Sequence, residues 1–345
     1  MERIDDISTK RQYFAAANGI FGFQNYFARI FDSPSYRRIF VLKGGPGTGK
    51  SSLMKKITRT FPDGAYRTEA FFCSSDPDSL DGVTVENARG KVAVLDGTAP
   101  HERDAVIPGA IDEIVNLGEA WDSEVLKHRR EEILKLTEKK QACYATAYRY
   151  LAAFGKTVQY SEAGNERCDL AALHERIRKL LLPRRPGDGG TACRLIRGFG
   201  CRGEVLLPTF CLLSERVLLL RGSAPHKARV LHEVFRIFEE DGLRAVVAPS
   251  PLDPRVLDGV MSEAAGVAFL SVGEEGIPFD ADEFFASTVP TAEGETSLLA
   301  LAKEHFAMAS EHHFSLESIY KEAMDFCIID RKTEDILAAI QRLLE

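Results

Sequence analysis

Ile39-Phe40-Val41-Leu42-Lys43-Gly44-Gly45-Pro46-Gly47-Thr48-Gly49-Lys50-Ser51-Ser52-Leu53-Met54 is the stretch whose reading decides the fold. Four apolar residues, rich in branched side chains, predict a buried strand. Residues 44–51 fit G-x-x-x-x-G-K-[S/T], and residues from about 49 to 60 carry apolar positions at helical spacing. Strand, glycine loop and helix in that order form a phosphate cradle. The glycines reach backbone conformations closed to other residues and turn N–H groups toward an anion. The helix adds its positive end. In that reading Gly44, Gly45, Pro46, Gly47, Thr48, Gly49, Lys50, Ser51 and Ser52 surround the phosphates of ATP. Lys50 reaches the β- and γ-phosphates, and the Ser51 hydroxyl ligates Mg²⁺. The bare pattern arises by chance in about 1% of chains of this length at average residue usage. The flanking strand and helix lower that figure.

Working outward, the chain repeats itself. Residues 76–83 read DPDSLDGV and residues 253–260 read DPRVLDGV, identical at six of eight positions, with Asp258 lying 177 residues after Asp81. Arg38–Gly44 matches Arg216–Gly222 upstream, and Val92–Leu95 matches Val267–Leu270 downstream. Three blocks in one order predict an internal duplication. Each copy reads as strand (37–43; 215–221), helix (49–60; 226–240), strand (67–74; 244–248), the Asp-Pro block, and strand (91–96; 266–271). Alternating strands and helices predict an α/β fold, a P-loop NTPase-like parallel sheet with flanking helices. Long helical segments are expected after each unit, over 109–153 and 165–182 in the first and over 295–326 and 333–345 in the second. Leu182–Gly190 carries two prolines and three glycines and reads as a linker. The expected division is therefore 1–182, a linker at 183–190, and 191–345, with the halves packed as a pseudo-dimer.

The second copy serves as an internal control. It has Gly222-Ser223-Ala224-Pro225-His226-Lys227-Ala228 where the first has its glycine loop, so triphosphate binding is expected only in the first half. Mg²⁺ also needs a carboxylate at the end of a neighbouring strand. Asp96 and Asp76 are the candidates. Asp96 becomes Ser271 in the copy that lost the loop, whereas Asp76 persists as Asp253 and Asp81 as Asp258. Asp96 is thus assigned to the metal and to catalysis with Lys50, and Asp76 to capping a turn or helix start.

The 345 residues, 45% hydrophobic and 28% charged, suit two globular cores. A net charge of −7 argues against nonspecific nucleic-acid binding. The arginines at 184, 185, 194, 197, 202, 216 and 221 read as solvated residues around the linker. No apolar run approaches the roughly 18 residues a membrane span needs. The charged start Met1–Asp6 carries no signal-peptide pattern, so a cytoplasmic protein is expected. Seven scattered cysteines without Cys-x-x-Cys read as reduced thiols. His101, Glu102 and Arg103 follow the Asp96 strand and read as loop residues within reach of a substrate. His305, His312 and His313 read as solvated helix histidines, and Trp121 as core between helices.

Gly-Pro-Gly-Thr-Gly-Lys-Ser (45–51) resembles the ATPase form of the loop in AAA+ and related groups. The arrangement as a whole resembles a bacterial family of tandem P-loop ATPase- or kinase-like proteins, on FAAANGIFGFQNYF (14–27), LKGGPGTGKSSLMKKI (42–57), CSSDPDSLDGV (73–83), VAVLDGTAPH (92–101), PGAIDEIVNLGEAW (108–121) and IYKEAMDF (319–326). The resemblance implies a phosphate loop in both halves, a pattern from which the second half departs. An AAA+ machine fits poorly: the chain is expected to run from Asp96 straight into helices, and Gly97 stands where a water-polarising Glu usually follows. Three functions remain open. They are a slow or regulated ATPase or ATP-dependent switch, a small-molecule kinase, and a nucleotide-sensing scaffold without turnover. In the first, Arg221, Arg229 or Arg255 of the second half would approach the γ-phosphate.

Overall fold

The computed structural model describes residues 7–100, 102–158, 167–182, 189–286 and 296–345. The first repeat opens with β1 (Arg11–Phe14), the hairpin β2 (Ala16–Gly19) and β3 (Gly22–Asn25), and the single turn α1 (Phe27–Ile30). The loop strand β4 (Arg38–Lys43), α2 (Lys50–Thr60), β5 (Arg67–Phe72), β6 (Leu80–Asn87), β7 (Gly90–Asp96) and β8 (Asp112–Asn116) follow. Helices α3 (Ser123–His128), α4 (Arg130–Thr157) and α5 (Leu170–Leu180) close the repeat. The second repeat runs β9 (Thr191–Cys193), β10 (Arg197–Gly200), β11 (Gly203–Leu206), α6 (Thr209–Leu212), β12 (Arg216–Arg221), α7 (Ala224–Glu240) and β13 (Ala245–Pro249). It ends with β14 (Leu257–Ser262), β15 (Val267–Leu270), β16 (Ile277–Asp280), α8 (Thr296–Glu322) and α9 (Phe326–Leu344).

Among the described residues the strands form two six-stranded sheets, β1-β5-β6-β7-β4-β8 and β9-β13-β14-β15-β12-β16. The two orders correspond strand for strand, and so do the directions. β6 and β14 are antiparallel to both neighbours, and the other adjacent pairs are parallel. The duplication read from short sequence blocks therefore extends over the whole α/β unit. The expectation of a purely parallel sheet is corrected: both sheets are mixed. The cause lies inside the Asp-Pro blocks. Only the turn Asp76–Ser79 precedes β6, and a tight turn ending at Gly90 (φ 147°) joins β6 to β7, which leaves no length for a crossover. Gly82 sits in β6 because a Cβ there would lie 2.8 Å from the Phe31 ring. A second correction concerns 109–122, expected as helix. Asp112–Asn116 is a strand, in parallel register with β4 from Ile39↔Asp112 to Lys43↔Asn116. Its short apolar pattern satisfies both periods, and pairing with β4 decides.

Alternate residues of each strand face opposite layers. Ile39, Val41, Ala93 and Leu95 of the first sheet share an inner core with Leu219, Ala268 and Leu270 of the second. Phe27 of α1, Phe31 just after it and Phe210 of α6 fill that core. The outer faces are covered by exchange. Phe40, Leu42, Val92 and Val94 pack under α2 and also under Ile329, Ile336, Leu337 and Ile340 of α9, from the end of the chain. Leu218, Leu220 and Phe269 pack under α7 and under Leu173 and Ile177 of α5, from the first repeat. Each repeat's last helix thus covers the other's sheet. α4 and α8 pack together as a long helical pair through Ala147, Leu151, Ala302 and Phe306.

Polar contacts follow the same reciprocity. The Ile20 N–H at one hairpin tip donates to Leu252 O (2.9 Å), and the Cys201 N–H at the other donates to Ser75 O (3.4 Å). Arg194, expected as a solvated linker arginine, is buried and donates to Glu69 across the repeats at 2.8 Å. Burial alone would raise the Glu69 carboxyl, but Arg194, Lys91 and Arg67 outweigh it and hold it well below the ordinary range. Arg197 likewise binds the buried Asp258 through two nitrogens, at 2.8 and 2.7 Å. Residues 183–188 of the expected linker and Met1–Asp6 lie outside the described residues. All seven cysteines are free thiols. No helix among the described residues is long and apolar enough to cross a membrane.

Candidate functional site

The loop leaves the C-terminal end of β4, between β7 and β8. The chain proceeds from β4 to one side of the sheet through α2 and β5, and β8 lies on the other side. This is the crevice in which open α/β sheets place ligands. Gly47 (φ 73°) and Gly49 (φ 81°) hold the left-handed conformations that the glycine pattern predicts, and α2 begins at Lys50. Thr48 is buried and its Oγ1 donates to Gly45 O (3.0 Å), closing the loop on itself. Lys50 Nζ donates to Gly44 O at 2.7 Å and Gly45 O at 2.8 Å, and lies 3.6 Å from Asp96 Oδ2. Ser51 Oγ accepts the Leu80 N–H at 3.0 Å, tying the first turn of α2 to the start of β6. Pro46 lies within the loop, and Ser52 is exposed on the first turn of α2.

Asp96 ends β7 in register with Leu42 of the loop strand. Its Oδ1 accepts the Thr98 N–H (2.8 Å) and the Thr98 hydroxyl, and Thr98 Oγ1 also lies 3.0 Å from Gly44 O. Thr98 therefore links the carboxylate to the loop backbone. Sequence reasoning passed over it, although a hydroxyl two residues after a strand-end acid is a recognisable turn former. Asp76 spends both carboxylate oxygens on its own turn, accepting from Ser79 Oγ (2.8 Å) and the Asp78 N–H (3.3 Å). It caps a turn that enters a strand, not a helix.

The roof of the loop comes from the far end of the chain. A Cβ on Gly47 would lie 2.8 Å from the Glu317 carbonyl of α8, and one on Gly45 would lie 3.2 Å from the Trp121 ring. Trp121 meets Tyr320 at 5.6 Å between ring centroids, and Ile329 of α9 lies against Gly49. Backbone bonds fix this roof: the Asp122 N–H donates to Ala323 O (2.8 Å) and the Asp325 N–H to Ala120 O (2.9 Å). No local signal in the sequence announces such a contact. His313, one turn before Glu317, is not a freely solvated histidine. Burial and then Lys140 lower its pKa, Glu317 opposes them, and Asp76 and Lys50 are among the charges it feels.

Other candidates are engaged elsewhere. Arg103 is buried and donates to Ser33 Oγ (2.7 Å) beside Asp112, a structural position at the base of β8. Arg229 pairs with Glu233 at 3.0 Å, and Arg255 with Asp253 at 2.6 Å and over the Phe21 ring. Neither is directed to the loop by these contacts. His101 lies outside the described residues. The chain matches no family model, no curated protein and no solved structure.

Proposed function

We propose that the first repeat binds ATP with Mg²⁺ at Gly44–Ser51 and acts as a slow or regulated ATPase or ATP-dependent switch. One observation carries this reading. A glycine loop with two left-handed glycines joins a central strand to a helix, and a strand-end carboxylate stands 3.6 Å from the loop lysine. The donor set suits a hard cation, with the Ser51 hydroxyl and the Asp96 carboxylate as oxygen ligands. Bound there, Mg²⁺ would neutralise phosphate charge. Lys50, now satisfied by loop carbonyls, would exchange them for phosphate oxygens. Gly44, Gly45, Pro46, Gly47, Thr48, Gly49 and Ser52 would line the phosphates.

A switch is preferred over a kinase because the loop lies directly under Glu317–Lys321 of α8, so an occupied loop must act on that helix. The resemblance to tandem P-loop ATPase- or kinase-like proteins supports nucleotide binding without separating switch from kinase, and the departure of the second loop from the glycine pattern implies one nucleotide per chain. The test is titration calorimetry with MgATP. Lys50→Ala should abolish binding, and Asp96→Asn should remove the Mg²⁺ dependence. Undiminished affinity in Lys50→Ala would refute the proposal. Stoichiometric phosphoryl transfer to a metabolite would replace the switch by a kinase.

A further inference from the structure

The two repeats differ where their loops meet the strand at the sheet edge. Strand β8 lies on β4 as β16 lies on β12, with Lys43↔Asn116 and Arg221↔Asp280 in equivalent register. The turn that follows is also equivalent. Asn116 Oδ1 accepts the Gly118 N–H at 2.9 Å, and Asp280 Oδ1 accepts the Asp282 N–H at 2.9 Å. Gly118 and Asp282 thus hold the same place. In the first repeat that place has no side chain, and a Cβ there would lie 2.9 Å from the Trp121 ring. In the second it carries a carboxylate.

That carboxylate sits at the N-terminal end of the 17-residue helix α7. Its Oδ1 accepts the Ser223 N–H at 3.0 Å and the His226 Nδ1–H at 2.6 Å. His226 is fully buried, with its ring parallel to Phe285 at 3.7 Å. Gly222 holds φ 106°, and a Cβ there would also lie 2.5 Å from the same oxygen, so both its backbone and the carboxylate's approach suit a glycine. Burial would raise the Asp282 carboxyl, but the Ser223 N–H and His226 hold it below its ordinary value. Lys227, the one cation left in the loop, is turned away toward the Ser271 carbonyl at 3.4 Å.

We infer that Asp282 is a built-in oxyanion that fills the phosphate cradle of the second repeat and holds that repeat permanently in its anion-bound shape. A backbone N–H, an imidazole N–H and a helix dipole converge on it as they would on a phosphate or sulfate oxygen. The second half is therefore not merely unable to bind a nucleotide; its anion site is occupied from within. This inference stands whether or not the first repeat binds ATP.

The experiment is chemical rescue, followed as the thermal midpoint against inorganic phosphate, with sodium chloride matched for ionic strength. It uses Lys50→Ala chains, so that the first loop contributes equally to every arm. Adding Asp282→Ala should lower the midpoint by several degrees, and phosphate, not chloride, should restore it saturably. The chain that keeps Asp282 should show no such response. A variant as stable as its parent, or one that phosphate restores no better than chloride, overturns the inference. If Asp282→Ala does not fold even in phosphate, Asp282→Asn decides. It keeps the shape and loses the charge, so it should melt lower and be indifferent to phosphate. An Asp282→Asn chain with an unchanged midpoint overturns the inference.

Discussion

Replacing Gly47 by alanine probes whether the second repeat roofs the glycine loop at Gly44–Ser51. Gly47 holds φ 73°, which costs a residue with a Cβ about 1–2 kcal/mol. The added carbon would also lie 2.8 Å from the Glu317 carbonyl and 3.1 Å from Lys321 Cγ. The first neighbour is helix backbone and cannot rotate away, so the end of α8 must shift, an overpacking cost of about 1–3 kcal/mol. Gly109 supplies the control. Its φ is 76°, and a Cβ there meets nothing within 4 Å. Urea unfolding should therefore show a loss of about 1–2 kcal/mol for Gly109→Ala and about 3 kcal/mol for Gly47→Ala. The difference between the variants reports the roof alone, because the backbone strain is matched. Equal losses would mean that Glu317 does not press on the loop, and the case for a switch built on that contact would fall with it.

Arg194→Ala should cost about 3 kcal/mol at neutral pH by stranding the buried Glu69, the low end for a broken buried pair because Lys91 stays 3.6 Å away. The Glu69 pKa is lower folded than unfolded, so its contribution is full above about 4.3 and is lost as pH falls toward the folded value. The gap between wild type and variant, read by denaturant titration, should narrow in acid; a gap independent of pH contradicts the assignment. Ile340→Ala should cost about 2–5 kcal/mol and loosen hydrogen-exchange protection in β4 and β7 rather than in β12 and β15, because Ile340 packs in the first sheet's outer core. Residues 1–182 expressed alone should fail to give a cooperative unfolding transition, and co-expression with 189–345 should restore one. A cooperative fold of 1–182 by itself would show that α9 is dispensable.

The local elements were legible where local chemistry dictates them. The strand runs at 38–43, 90–96, 216–221 and 267–270 and the helices at 50–60 and 224–240 fall within two residues of expectation, because apolar runs and helix periodicity are properties of short windows. β6 and β14 were missed because Asp81-Gly82 and Asp258-Gly259 look like turn residues; the glycines answer to side chains packed on the strand, such as Phe31 on Gly82. β8 was missed because Ile114 and Val115 fit either period. In the candidate site, the loop and Asp96 could be read, the latter only through comparison with Ser271. Trp121, read as core between helices, does pack on Tyr320, but its place beside the loop and the approach of His313, Glu317 and Tyr320 could not be read, because they depend on the packing of a helix about 270 residues further along the chain.

The exchange of helices explains why a chain would keep both repeats although their loops differ. Ile336, Leu337 and Ile340 bury the outer face of the first sheet, and Leu173 and Ile177 bury that of the second. Losing either repeat would expose apolar strands on the survivor, so the two repeats are retained together. The constraint is also asymmetric. α8 reaches the first loop through Glu317 and Tyr320, whereas the second loop is filled by Asp282 from its own repeat. The second loop is closed by a carboxylate of its own repeat, the first by a helix of the other repeat. On the proposed switch reading, a ligand at Gly44–Ser51 would press on α8, and α8 on α4 along the surface they share.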